Sequence, residues 1–242
     1  MSQAIQSMFD GIAGRYDLLN RLLSGWRDVA WRRRSVRLLP PLGAGARVLD
    51  LCGGTGDFTA ALQKQSGKQG LAGSIPFCVI GDFSRPMLAL SVPKGLDAPP
   101  VVLDALHPPL KDTTFDAILC GFGMRNLDDT AAGIRAVHAL LKPGGSFLTL
   151  EFFRPANPFT RFFYGVLAPA FIPFSGWLFG SRNTKSGDAY DYLVRSVKRF
   201  KTAEEYAALC RAAGFTATHI QAQDGGIAHA VLAVKAFDRK AG

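Results

Sequence analysis

Acidic residues are scarce in this chain of 242 residues: 19 Asp and Glu stand against 28 Lys and Arg, a formal charge of +9. A surface of that sign favours anionic partners such as nucleic acid or phospholipid headgroups and does not choose between them, and a solvated basic face is the plain alternative. Much of the excess lies in residues 27–37 and 182–201. Cysteine is sparse as well. Cys52, Cys78, Cys120 and Cys210 form no C-x-x-C pair and no cluster with histidine, which leaves no metal site to expect. Three of them sit in or beside apolar strand-like runs, where reduced Cys acts as a compact hydrophobe, so a reducing, cytoplasmic compartment is expected. The first 25 residues lack the apolar core of a signal peptide, which argues against export. The nearest approach to a membrane-compatible run, residues 162–179, is broken by Pro169 and Pro173, which argues against a spanning helix.

What is present describes a folded enzyme-sized chain. Hydrophobic residues make up 48% of the sequence, with 26 Gly and 14 Pro spread along it, enough core for a single domain over 1–242. Residues 8–39 carry apolar positions at helical spacing and end at Pro40-Pro41, so residues 1–41 are expected to form a helical cap of two helices. Strands are predicted at 47–51, 77–80, 101–103, 115–121 and 146–152, with helices at 57–65, 85–90 and 130–141 and a turn at Lys142-Pro-Gly-Gly145. Strands alternating with helices imply an α/β fold with a mainly parallel sheet. Residues 153–189 read as a Pro- and Phe-rich insertion, after which a helix at 202–213 and strands at 216–222 and 228–235 close the chain.

The segment Val48-Leu-Asp-Leu-Cys-Gly-Gly-Thr-Gly-Asp-Phe-Thr59 is a strand, a glycine-rich turn and a helix start. Asp50 ends the strand, and Gly53, Gly54 and Gly56 let a ligand approach the backbone. A dinucleotide fingerprint would place a third small residue where Thr59 stands, so NAD and FAD are disfavoured. Asp57 at the helix entry would repel a pyrophosphate but suits a cation, although a plain helix cap explains it equally well. S-adenosylmethionine carries ammonium and sulfonium charges, and Asp82, at the end of the second strand, is placed to accept from ribose hydroxyls. Asp104-Ala105 follows the third strand, where methyltransferases of this class contact adenine, or is simply a polar turn.

Several motifs in order then carry a resemblance: Met8-Phe-Asp-Gly-Ile-Ala-Gly-Arg-Tyr-Asp-Leu-Leu-Asn20, residues 48–59, Phe122-Gly-Met-Arg-Asn126, Leu141-Lys-Pro-Gly-Gly145 with Leu150-Glu-Phe152, Tyr192-Leu-Val-Arg-Ser196 and Gly226-Ile-Ala-His-Ala230. Over essentially its whole length the chain resembles the ubiquinone/menaquinone biosynthesis C-methyltransferase family. That resemblance implies a Rossmann-like, seven-stranded class I fold and methylation of a ring carbon of a prenylated quinol, with S-adenosyl-L-methionine as methyl donor. It implies cofactor contacts at Thr55, Asp82, Asp104 and Ala105. Asp50, Gly54, Gly56 and Asp57 join them as cofactor candidates from the loop. Gly121 stands at another cofactor position, where many members have Ser, so one side-chain contact is missing. Ser24-Gly-Trp26 and Phe153 also depart from the pattern.

Carbon methylation needs an electron-rich ring held in line with the methyl group, which deprotonating a phenol provides. Arg125, just after the fourth strand, is the candidate for stabilising the phenolate, with a salt-bridge role as the alternative; Asn126 fixes its loop. Tyr16 and His229 are further candidates for contacts or proton transfer, with structural roles the alternative. The insertion is expected to line a tunnel for the prenyl tail and, with nearby basic residues, to rest peripherally on the inner face of a membrane; a packed lid is the alternative. No nucleic-acid partner is expected, because the chain has no signature of amino-group methylation, no Pro-Cys nucleophile and no RNA module. A benzoquinol, another small molecule, or a donor-binding scaffold without turnover stay open as alternatives to demethylmenaquinol.

Overall fold

The computed structural model describes residues 3–68, 76–155 and 184–237. Two helices come first, α1 (Gln3–Ser24) and α2 (Arg27–Val36). Then follow β1 (Arg47–Leu51), α3 (Asp57–Lys68), β2 (Phe77–Asp82), the short α4 (Arg85–Ala89), β3 (Pro100–Val102), β4 (Phe115–Gly121), α5 (Thr130–Leu140) and β5 (Leu141–Glu151). Beyond the insertion come α6 (Thr184–Arg199), α7 (Ala203–Ala212), β6 (Phe215–Gln223) and β7 (Ala228–Lys235). The seven strands form one sheet in the order β3-β2-β1-β4-β5-β7-β6. Only β7 runs against the rest, antiparallel to both β5 and β6.

The central strands are apolar on both faces because helices cover both. Alternation along the pleat sends Leu49, Leu51, Ile118 and Cys120 into one core with Ile134, Phe147 and Tyr206. Val48, Ala117 and Leu119 go into the other, with Trp31 and Phe58. Trp31 belongs to α2, so the N-terminal helices help close that second core. Strand order reverses between β1 and β4, which opens a crevice at their carboxyl ends where ligands of such sheets bind.

Many boundaries shift by one to three residues from the sequence expectation, and two features differ by more. The turn expected at residues 142–145 lies inside β5: Leu141 already pairs with Phe115, the intervening residues bulge with Gly144 at φ 76°, and pairing resumes at Ala117 with Ser146. The helix α6 was not foreseen; it overlaps the end of the expected insertion, whose residues 156–183 lie outside the described residues.

Candidate functional site

At the crevice β1 delivers Asp50, buried at 1% exposure. Its Oδ2 accepts from the Thr59 backbone N–H at 3.0 Å and the Thr59 hydroxyl at 2.9 Å, while Oδ1 is buried with no partner. Burial raises its pKa to about 6 against the opposing bonds from Thr59. The next residues turn sharply, with Cys52 at φ 54° and Gly54 at φ 53°. A Cβ on Gly53 would stand 2.8 Å from the Asp50 carbonyl oxygen and from Ile80, so only glycine lets the loop lie this close to β2. Asp82, at the end of β2, accepts from the Gly54 N–H at 2.9 Å and the Ser84 N–H at 2.8 Å. Burial lifts its pKa to about 6 as well, against bonds from Ser84 and Gly54.

These residues line one pocket with Gly54, Thr55, Asp57, Gly121, Asn126 and Tyr16. The helix α1 roofs it: Asp17 accepts from the Thr55 hydroxyl at 2.7 Å, and Asp10 from the Ser84 hydroxyl at 2.5 Å. Asp57 is not free to face a ligand alone, because Lys94 holds its Oδ1 and Arg21 its Oδ2, each at 2.7 Å. Burial opposes its ionisation, but Arg32, Lys94 and Arg21 prevail and lower its pKa. A Cβ on Gly121 would lie 3.1 Å from the Phe58 ring, so the residue preserves space rather than supplying a contact.

Five sequence candidates stand outside the pocket lining: Gly56, Asp104, Ala105, Arg125 and His229. Gly56 faces Leu96 and Ile80, within 2.9 Å of where a Cβ would be, and serves packing. Asp104 is partly exposed and turned to its own loop, accepting from the Leu106 N–H at 3.0 Å and lying 3.4 Å from His107 Nδ1; Ala105 is buried in the core. His229 lies on β7 opposite Glu151, its ring against Phe153 and its Nδ1 buried without a partner, and burial lowers its pKa.

Arg125 sits one layer behind the pocket wall. Its Nη1 donates to Glu151 Oε1 at 2.5 Å and to the Phe122 carbonyl at 2.9 Å, and its Nε is buried with no partner. The guanidinium lies over the rings of Phe122 and Phe152, which stack 4.6 Å apart. Glu151 is fully buried, so desolvation raises its pKa while Arg125 and the Phe152 N–H oppose the shift. Asn126 donates to the Phe122 carbonyl at 3.2 Å and accepts from Tyr192 at 3.0 Å, which ties the loop after β4 to α6. Burial raises the Tyr16 pKa, opposed by Asn20, Arg125 and Arg32.

Sequence reasoning passed over Glu151, Asp17, Lys94 and Arg32. Glu151 had one visible signal, a single acid closing an apolar strand in Leu150-Glu-Phe152. Among the described residues no group of acids, His and Cys is placed to hold a metal ion, and no helix is long and apolar enough to cross a membrane.

The pocket suits S-adenosylmethionine. It offers a buried, unpartnered carboxylate oxygen to a cation and a glycine-lined backbone for close approach. Residues 1–235 match the model of the ubiE/COQ5 methyltransferase family. A demethylmenaquinone methyltransferase of Lactiplantibacillus plantarum is 35% identical over 238 residues, covering 96% of this chain and 95% of that protein. Another, of Mycolicibacterium vanbaalenii, is 36% identical over 232 residues with the same coverage. In fold, the chain superimposes on an S-adenosylmethionine-dependent methyltransferase of Thermotoga maritima at TM-score 0.62 and 17% identity, covering 95% of this chain and 98% of that one. A match along nearly the whole chain, joined to a crevice whose charge answers a cationic methyl donor, makes this S-adenosylmethionine-dependent methyltransferase a member of the ubiE/COQ5 methyltransferase family.

Proposed function

We propose that the chain methylates a ring carbon of a prenylated quinol, converting demethylmenaquinol to menaquinol. The names of the relatives support the substrate class, and the buried Arg125, with an unpartnered Nε beside the Phe122 and Phe152 rings, is the observation that carries it. When bound, S-adenosylmethionine supplies the electrophilic methyl group. Asp50 and Asp82 hold the donor from the carboxyl ends of β1 and β2. The Arg125 guanidinium, one layer behind the pocket wall, stabilises the quinol oxygen by its positive charge as that oxygen loses its proton, which raises electron density at the neighbouring carbon. Glu151 fixes the guanidinium through Nη1, and Asn126 with Tyr192 holds the loop. Tyr16, roofing the pocket from α1, contacts the ring.

A prenylated acceptor resides in lipid, so the basic chain meets it by peripheral contact with an anionic membrane face. The test of the substrate is methyl transfer to reduced demethylmenaquinone and to the matching benzoquinol in detergent. Turnover on the naphthoquinol with at least about tenfold higher kcat/KM is the expected outcome; preference for the benzoquinol would move the chain to ubiquinone chemistry. Arg125→Ala is expected to lower kcat by about 100-fold with the donor KM unchanged.

A further inference from the structure

Among the described residues lining the pocket, a single side chain is cationic: Arg32, on α2. The other charged groups there are the carboxylates Asp50, Asp57 and Asp82. The methyl donor's sulfonium and ammonium find complements in those acids, but its methionine end also carries a carboxylate. A carboxylate brought among three acids needs a positive partner. Arg32 is buried at 5% exposure and held in place: Nη1 donates to Asp28 Oδ2 at 2.6 Å, and the guanidinium lies 5.3 Å from the Phe122 ring centre. That one bond does not consume the fork. Nε and Nη2 hydrogen bond no described residue, and the residue lines the pocket. Asp28 is also bonded by Arg21 and Ser24, and Asp57 by Arg21 and Lys94, so the charge of Arg32, whose Nη1 lies 3.8 Å from Asp57 Oδ2, is not spent on one acid alone.

We propose that Arg32 is the residue that binds the carboxylate of the donor's methionine moiety, with Asp28 holding the guanidinium in position and the N-terminal helices thereby forming part of the cofactor site. The planar fork matches a carboxylate with two parallel bonds, which a lysine cannot reproduce. This assignment depends on the donor alone and holds whatever the acceptor.

The test is calorimetric titration with S-adenosylmethionine and with its decarboxylated form, which keeps the sulfonium and the ammonium. The wild type is expected to prefer the carboxylated donor by at least about tenfold. Arg32→Gln is expected to weaken S-adenosylmethionine by about 10- to 100-fold and leave the decarboxylated form unchanged or tighter, with Arg32→Lys intermediate. Equal affinities for the two donors in the wild type would overturn the proposal without need of any variant. So would Arg32→Gln weakening both donors alike, which is what a purely structural role produces.

Discussion

In the proposed function, donor binding turns on Asp50. Burial raises its carboxyl pKa to about 6, against an ordinary value of 3.8, and raises that of Asp82 likewise. For each, the folded-state pKa exceeds the unfolded one, so the contribution to stability is full below pH about 4 and lost as pH rises through about 6. At neutral pH each ionised group therefore costs the fold about 3 kcal/mol, which a cation beside it offsets. S-adenosylmethionine affinity is expected to rise steeply between pH 5 and 7, and Asp50→Asn to flatten the profile; titration calorimetry across that range checks it, and a flat wild-type profile would contradict it. Glu151→Gln leaves the Arg125 charge buried without its counter-ion and is expected to cost about 3 kcal/mol in urea unfolding as well as activity. Asp50 and Asp82 were legible because a carboxylate at a strand end beside a glycine turn is a local pattern. Arg32 and Glu151 were not, because their meaning lies in Asp57 and Phe122 beside Arg32 and in Arg125 beside Glu151, which only the packed chain brings together.

At the scale of elements, α1 is joined to the donor loop by side chains rather than by a wide apolar face: Asp10 to Ser84, Asp17 to Thr55 and Lys94, Arg21 to Asp57. Such polar fastenings open more readily than buried packing. Amide exchange in the first helix is expected to slow by at least about tenfold when S-adenosylhomocysteine is added, read by hydrogen–deuterium mass spectrometry, with β4 unaffected. Exchange in α1 that ignores the ligand would contradict its part in the site. By contrast, α7 begins in a complete capping box, Thr202 with Glu205, far from the pocket; Thr202→Ala is expected to cost about 1 kcal/mol in stability and no activity. Strand β4 was read to the residue, since Phe115 to Gly121 is one apolar run between turns. The start of β5 was missed because its first pair precedes a glycine-rich bulge that looks like a turn, and α6 because the Pro- and Phe-rich insertion was read on to residue 189, although Leu193, Val194 and Val197 recur at helical spacing.

For the whole molecule, the mainly parallel sheet follows from the alternation of strands and helices visible in the chain, while the strand order and the antiparallel β7 emerge only from the packed structure. The excess of positive charge belongs to this scale too. Binding to anionic vesicles is expected and should weaken at least about tenfold between 50 and 300 mM salt in a sedimentation assay; no binding at low salt would contradict a membrane role. The central claim concerns where the methyl group goes. The most direct measurement incubates the protein with labelled S-adenosylmethionine and reduced demethylmenaquinone, then reoxidises the product. Label in a product that returns to the quinone marks methylation at ring carbon, the expected result; label in a product that resists oxidation marks an oxygen ether, and would contradict it.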